Sequence, residues 1–171
     1  MRLLPGVAAA LARLKAAGFP LVVISNQAGV GRGLFPLARV YGAMAQLRRL
    51  LRAEGVELDA IYFCPHAPEE GCACRKPKTE LIERAADDLL LRAAGSVMIG
   101  DKAIDVRTGK AAGIRAVLVA TGYGEAERAE LGMEEQPDWF VKDLGEAAER
   151  LIAAFESEPE PTSSQRPRSN R

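Results

Sequence analysis

The chain has 171 residues, of which 48% are hydrophobic, 27% charged and 5% aromatic, a composition typical of one globular domain with an apolar core. Lysine and arginine total 23, aspartate and glutamate also total 23, and the formal net charge is therefore zero. A neutral chain has no general electrostatic attraction for nucleic acid or anionic lipid, so neither is expected as a partner. The apolar runs are shorter than the roughly 18 residues of a membrane span, and we predict a soluble, cytoplasmic protein.

Helical and strand patterns alternate along the chain. Apolar periodicity, together with Gly, Pro and capping signals, predicts six helices. The first three cover 5–17, Pro36 to Gly55, and Thr79 to about Leu91. A fourth ends near Gly113, a fifth covers 125–131, and the last begins after Asp143. Apolar runs predict strands at 20–25, 60–63, 96–100, 115–120 and 139–141. This alternation favours a parallel sheet covered by helices, with ligands bound at the carboxyl ends of the strands.

The C-terminal residues have a different composition. Residues 156–171 lack apolar periodicity and are rich in Pro, Ser and charge, which predicts a disordered tail. The predicted domain therefore covers residues 1–155.

Potential metal ligands cluster in one short segment. Cys64, His66, Cys72 and Cys74 include all three cysteines and the single histidine of the chain. Three thiolates and one imidazole form the ligand set of a closed tetrahedral zinc site, and such a site holds a loop in place without taking part in chemistry. Coincidental buried cysteines or a redox pair are the alternatives.

Polar groups that suit phosphoryl transfer follow three separate segments. Ser25 and Asn26 end the first predicted strand, Arg75 and Lys76 follow the cysteine cluster, and Asp101 follows the third strand. Taken singly, each fits an ordinary role as a helix cap, surface cation or loop residue. Together and in this order they indicate a phosphate site.

Three motifs, VVISNQ, CRKP and IGDKAID, resemble those of the haloacid dehalogenase superfamily of phosphohydrolases. More narrowly, the chain is similar to the zinc-containing heptose 1,7-bisphosphate phosphatases and the related histidinol-phosphatases, which share a zinc loop just before Arg-Lys-Pro. The resemblance covers about residues 3–152. It implies a three-layer α/β/α, Rossmann-like fold and a Mg²⁺-dependent phosphatase acting on a small phosphorylated sugar.

The resemblance also implies roles for individual residues. Ser25 would hydrogen-bond the transferring phosphoryl group, and Lys76 would neutralise its charge. Asp101 would bind Mg²⁺, and Asp105 would orient the site without binding the ion directly.

Four further residues are expected to contact the substrate. Asn26 and Gln27 would line the entrance, while Arg75 and Lys102 would meet the sugar or its second phosphate. The favoured substrate is D-glycero-D-manno-heptose 1,7-bisphosphate, losing its C7 phosphate, with histidinol phosphate as the alternative. We expect a monomer.

One element of the family pattern is missing from this sequence. The family's N-terminal strand ends in Asp-x-Asp, which supplies the attacking carboxylate and the general acid and base. Here the first aspartate is Asp59, and the chain opens with MRLLPGV. Because the family strand lies between the strands that end here at Ser25 and Asp101, we expect a gap in the centre of the sheet. Our leading hypothesis is that the natural start lies upstream of Met1.

Two other functions remain open. One is a non-catalytic relic that keeps a phosphate-binding role, and it predicts binding without turnover. A zinc module that recognises nucleic acid is disfavoured, because the chain is neutral, poor in aromatics and lacks a basic helix after the ligands.

Overall fold

The computed structural model describes residues 1–92 and 95–157, over which helices and strands alternate as predicted. The helices are α1 (Val7–Ala16), α2 (Leu37–Ala53), α3 (Glu80–Asp88), α4 (Ala103–Ala111), α5 (Gly124–Ala129) and α6 (Leu144–Ser157). The strands are β1 (Val22–Asn26), β2 (Ala60–Cys64), β3 (Val97–Gly100), β4 (Arg115–Val119) and β5 (Trp139–Val141). Two 3₁₀ turns cover Pro68–Glu70 and Met133–Glu135.

Local sequence signals explain several helix ends. Gly18 follows α1 with a φ of 88°, a left-handed conformation that glycine adopts without strain. At the start of α6, the Asp143 carboxylate accepts the Glu146 N–H at 3.0 Å, so the predicted cap is confirmed.

Helix α3 differs from its prediction at both ends. Thr79 does precede the helix, but its hydroxyl donates to the Glu83 carboxylate at 2.6 Å and does not cap a backbone N–H. The helix ends at Asp88 and not at Leu91, because Leu90 has a φ of 52°, which a right-handed helix does not accommodate.

Helix α6 extends beyond the predicted domain boundary. It continues to Ser157, so the prediction of a disordered tail is wrong for its first two residues. Residues 158–171, the rest of the predicted tail, lie outside the described part of the chain.

The strands form two parallel sheets. β1 pairs with β2, from Val22 opposite Ala60 to Asn26 opposite Cys64. The second sheet has the order β3-β4-β5, with β4 in the middle. Within the described residues β1 and β3 are not hydrogen-bonded to each other. The expected gap between these two strands is therefore confirmed.

One apolar core nevertheless spans both sheets. Its buried members come from α1, α2, α6 and the segments before β1 and β2, and include Leu14, Leu51 and Leu151. Val23 of β1 and Val97 of β3 both pack against it. Helices α1 and α6 also contact each other, so they join the two sheets on this face. None of the described helices has the length and apolarity needed to cross a membrane.

Candidate functional site

The four predicted metal ligands converge on one point. The donor atoms of Cys64, His66, Cys72 and Cys74 all lie within 4.8 Å of one another. The Cys64 and Cys72 sulfurs are 3.5 Å apart, and His66 Nδ1 lies 3.3 Å from the Cys74 sulfur. All three cysteines are free, so the cluster is not a disulfide. This geometry is that of a site able to hold one metal ion.

The pKa values of the three thiols differ, and a bound cation would be needed to ionise all of them. Burial, together with the Cys64 and Cys72 sulfurs, raises the pKa of Cys74 to about 12. Burial raises the pKa of Cys64 as well. Burial opposes ionisation of Cys72 too, but hydrogen bonds from the other two thiols outweigh it and lower its pKa to about 7. Protein atoms alone therefore favour one thiolate of the three, and a bound cation is needed to deprotonate all of them.

The segment that carries the cluster folds back through a short turn. The Glu70 carboxylate accepts the Ala67 N–H at 2.5 Å, which closes the 3₁₀ turn, and Gly71 follows with a φ of 65°. The loop after β1 packs directly on this segment, because Gly31 donates its N–H to the Pro65 carbonyl at 2.9 Å. A Cβ at Gly31 would lie 2.3 Å from the Ala67 nitrogen, so a larger residue would separate the two loops.

Lys76 lies where the two sheets meet. Its side chain is 10% exposed, and its ammonium donates to the Ile24 carbonyl of β1 at 3.0 Å. The same ammonium donates to Asp105 Oδ1 at 2.5 Å, on the first turn of α4. With three N–H groups on an ammonium, one is left to meet an anion.

Asp105 is buried behind this contact. Its Oδ2 accepts the Lys102 N–H at 3.2 Å at the start of α4. A Cβ at Gly100 would lie 2.1 Å from that oxygen, so the end of β3 needs glycine for the carboxylate to fit. Asp105 therefore contacts both Lys76 and the segment that carries Asp101.

Asp101 follows β3 and is held by the loop after β4. Its Oδ2 accepts the Tyr123 N–H at 3.2 Å. Gly122, with a φ of 72°, lets this loop approach, because a Cβ there would lie 2.2 Å from the same oxygen. Across the described residues, 1–92 and 95–157, Oδ1 of Asp101 has no hydrogen bond, and this hard oxygen is available to a cation.

The residues after β1 contact one another and Lys76. Gln27 donates its amide N–H to the Ser25 hydroxyl oxygen at 2.8 Å, which leaves the hydroxyl proton to be donated elsewhere. Asn26 accepts the Lys76 N–H at 3.0 Å and donates to the Lys76 carbonyl at 3.2 Å. The sequence indicated neither contact.

Arg75 and Lys102 flank this group. Arg75 is half-buried and donates to the His66 carbonyl at 3.4 Å, which connects it to the metal cluster. The exposed Lys102 ammonium lies 4.1 Å from the centre of the Tyr123 ring and 3.9 Å from the Glu127 carboxylate. The Glu127 carboxylate also accepts the Ala103 N–H at 2.9 Å, a contact of α5 with α4 that sequence reasoning missed.

A cavity opens beside Asp101. Its volume is about 240 Å³, and it runs from the end of β3 to Leu4 and Val7 at the start of α1. A larger cavity of about 560 Å³ lies between residues 77–79 and α4. Two of its cations, Arg107 and Lys110, are paired with Glu135 and Asp138, and a third, Lys78, donates to the Gly71 and Cys72 carbonyls.

Comparisons with known proteins agree with this arrangement. Residues 73–147 match a family model described as HAD-hydrolase-like. Parallel strands covered by helices, with Lys76 bonded to β1 on one side and to α4 on the other, agree with this match and define a haloacid-dehalogenase-like hydrolase.

More similar relatives narrow the family. The chain is 39% identical to the D-glycero-beta-D-manno-heptose-1,7-bisphosphate 7-phosphatase of Pseudomonas putida, over 87% of this chain and 84% of that protein. It is 37% identical to the same enzyme of Bordetella bronchiseptica, over 87% and 83%. The crystal structure of the D,D-heptose 1,7-bisphosphate phosphatase from B. bronchiseptica, complexed with magnesium and phosphate, aligns with a TM-score of 0.80 at 36% identity and covers 88% of this chain and 84% of that one. The chain therefore belongs to this family of phosphatases.

Proposed function

We propose that the chain belongs to a Mg²⁺-dependent phosphatase that binds D-glycero-D-manno-heptose 1,7-bisphosphate and removes its C7 phosphate. The observation that carries the proposal is the Lys76 ammonium, which is held by Ile24 of β1 and Asp105 of α4 between the residues that would bind phosphate and metal. The names of the related enzymes support the choice of substrate.

Ser25, Lys76 and Asp101 would together bind and stabilise the phosphoryl group. Ser25 donates its hydroxyl proton to a phosphoryl oxygen, and the free N–H of Lys76 neutralises charge on the same group. Asp101 would hold Mg²⁺ through its free oxygen, and the ion would supply positive charge to stabilise the phosphoryl group. Asp105 fixes Lys76 from behind.

A second phosphate would meet the flanking cations. Arg75, next to Lys76 in the chain, is half-buried, and Lys102, whose N–H bonds Asp105, is exposed. With Gln27 at the entrance, they favour a substrate that carries two phosphates over histidinol phosphate, which carries one. A bisphosphate also accounts for this local positive charge in a chain with zero net charge.

We propose Zn²⁺ for the metal cluster. In a tetrahedral site with bonds of about 2.0–2.3 Å, donor atoms lie roughly 3.4–3.8 Å apart. Four of the donor–donor distances, 3.3 to 3.6 Å, lie close to that spacing, and all donor atoms lie within 4.8 Å of one another. Four protein donors leave no position for water, so this ion stabilises the loop and does not activate a nucleophile.

Two candidate functions differ in whether the protein supplies the carboxylate that attacks phosphorus. The family uses Asp-x-Asp on its N-terminal strand, and this sequence contains no aspartate before Asp59. Among the described residues, the carboxylate that bonds Lys76 is that of Asp105, which holds the ammonium in place. The second candidate is a protein that binds the phosphorylated sugar without turnover.

Calorimetry and phosphate release test both candidates. We expect the 171-residue chain with Mg²⁺ to bind heptose 1,7-bisphosphate more tightly than histidinol phosphate, because the latter lacks a second phosphate. Asp101→Ala should abolish the dependence on Mg²⁺, whereas Asp87→Ala, which removes an exposed carboxylate on α3, should not. Release of phosphate would support the first candidate, and tight binding without release the second. If neither ligand binds with Mg²⁺ present, both are rejected.

A further inference from the structure

Asn26 contacts the backbone of a residue fifty positions away. Its side-chain oxygen accepts the Lys76 N–H at 3.0 Å, and its side-chain nitrogen donates to the Lys76 carbonyl at 3.2 Å. Both ends of the amide are therefore used by one peptide segment. This pairing has the pattern of a strand ladder, but a side chain takes the place of one strand.

The segment around Lys76 has little regular structure of its own. Residues 73–79 are turns and bends between the metal cluster and α3. A backbone hydrogen bond within this segment joins the Lys78 N–H to the Arg75 carbonyl and does not involve the Lys76 peptide groups. Within the described residues, Asn26 is the hydrogen-bond partner of both the N–H and the carbonyl of Lys76.

The position of the Lys76 ammonium depends on this backbone contact. The ammonium must reach the Ile24 carbonyl and Asp105 together, which are parts of β1 and α4. Asn26 is two residues beyond Ile24 on the same strand, so β1 holds Lys76 both at its backbone and at its ammonium. A shift of the backbone would move the charged group away from the phosphoryl position next to Ser25.

Resting on the proposed function, we infer that Asn26 is a positioning residue, whose amide fixes the Lys76 backbone so that the Lys76 ammonium meets the phosphoryl group. It acts through Lys76 and does not itself contact the substrate. A carboxylate in its place can still accept the Lys76 N–H but cannot donate to the carbonyl, so an amide is the side chain that fits.

A double-mutant cycle distinguishes positioning from direct contact. Binding of inorganic phosphate with Mg²⁺ is measured by calorimetry for the full chain, Asn26→Ala, Lys76→Met and the double variant. Asn26→Ala should weaken binding by about tenfold when Lys76 is present and by less than about twofold when Lys76 is absent, because the two residues act as one unit. An equal loss in both backgrounds would show that Asn26 contacts phosphate directly and would overturn the inference.

A matched control separates positioning from general stability. Gln136 also donates its amide to two backbone carbonyls, those of Leu131 and Gly132, each at 3.1 Å and away from Lys76. Gln136→Ala should lower the melting temperature about as much as Asn26→Ala but leave phosphate affinity unchanged. If Asn26→Ala does not fold, Asn26→Asp takes its place in the cycle, with an expected loss of about threefold. Unchanged affinity in that variant would equally overturn the inference.

A readout without phosphate keeps the inference separate from the proposed function. Amine acetylation followed by mass spectrometry should modify Lys76 slowly in the natural chain, because the residue is 9% exposed. Asn26→Ala should raise the rate at Lys76 by at least about threefold and leave Lys110 unchanged. If the unsubstituted chain binds no phosphate, the proposed function fails, yet labelling still decides whether Asn26 holds Lys76. An unchanged labelling rate at Lys76 would contradict the inference.

Discussion

The two sheets are held alike at their amino ends. In the two-stranded sheet, Asp59 accepts the Leu21 N–H at 2.7 Å and donates its own N–H to the Leu21 carbonyl at 2.9 Å. In the three-stranded sheet, Asp138 accepts the Ala116 N–H at 2.7 Å and donates to the Ala116 carbonyl at 2.8 Å. Each aspartate is also paired with a lysine, Lys15 and Lys110 respectively. The same contact therefore aligns the start of two neighbouring strands in each sheet.

The sheets differ where they face each other. β4 has a partner on both sides and is buried from Ala116 to Val119, whereas β1 and β3 are half-buried and each has one partner. The metal cluster begins at the end of β2, and Asp101 follows β3. Lys76 and Asp105 connect the two sides. The amino ends of the sheets therefore serve stability, and the candidate chemistry lies at the open boundary between the sheets.

The largest expected difference between the sheets follows removal of metal from the cluster. A strong zinc chelator should lower the melting temperature by more than about 10 °C, because structural zinc contributes on the order of 10 kcal/mol to folding of its site. Hydrogen exchange should then show loss of protection in β1 and β2, with β4 less affected. In Cys72→Ser, which already lacks a ligand, the chelator should change little. An unchanged melting temperature for the unsubstituted chain would show that the cluster is not structural.

The next effect concerns the contact that joins the sheets. Lys76→Met leaves Asp105 buried without its partner and should reduce the free energy of unfolding by about 3–5 kcal/mol, measured with urea. Lys76→Met combined with Asp105→Asn should lose less than the single variant. Lys110→Met breaks a pair with Asp138 that is about 40% exposed, and is expected to lose about 1 kcal/mol or less. Equal losses for Lys76→Met and Lys110→Met would mean that the boundary is no more sensitive than the surface.

A smaller effect should appear without any substitution. Because β4 is paired on both sides and β1 and β3 are not, amides of β4 should exchange with solvent at least about tenfold more slowly on average. Hydrogen exchange with mass spectrometry or NMR resolves the strands. Similar protection in all three would contradict an open boundary between β1 and β3.

Features coded in short segments could be predicted from the sequence. The four metal ligands lie within residues 64–74, and their types alone indicated a common site. That Ser25, Lys76 and Asp101 meet stays a prediction, made because the carboxyl ends of parallel strands lie at one edge. The structure joins Lys76 to β1, the strand that carries Ser25. The gap between β1 and β3 followed from the missing family strand.

Contacts that depend on side-chain direction could not be predicted. The sequence suggested that Asn26 faces substrate, whereas its amide bonds the Lys76 backbone. Likewise, Thr79 precedes α3 but bonds Glu83. In each case the residue type allows several partners, and tertiary packing selects one of them. The spacing of residues along the chain carries no information on that choice.

The smallest expected effect tests whether the amino ends of the sheets are truly equivalent. Burial alone would raise the pKa of Asp59 and of Asp138, but hydrogen bonds and the adjacent lysines lower both below the usual value. A lowered pKa in the folded state stabilises the protein above the unfolded value, near pH 4, and this contribution is lost as the pH falls through the folded pKa. Asp59→Asn and Asp138→Asn should each lose about 0.5–1 kcal/mol at pH 7, and the difference from the natural chain should shrink towards pH 3. Equal losses, measured by urea unfolding at both pH values, would support equivalent contacts. A loss confined to one variant would mean that the other sheet is aligned by its core packing, and the similarity of the two aspartates would then be geometric without being energetic.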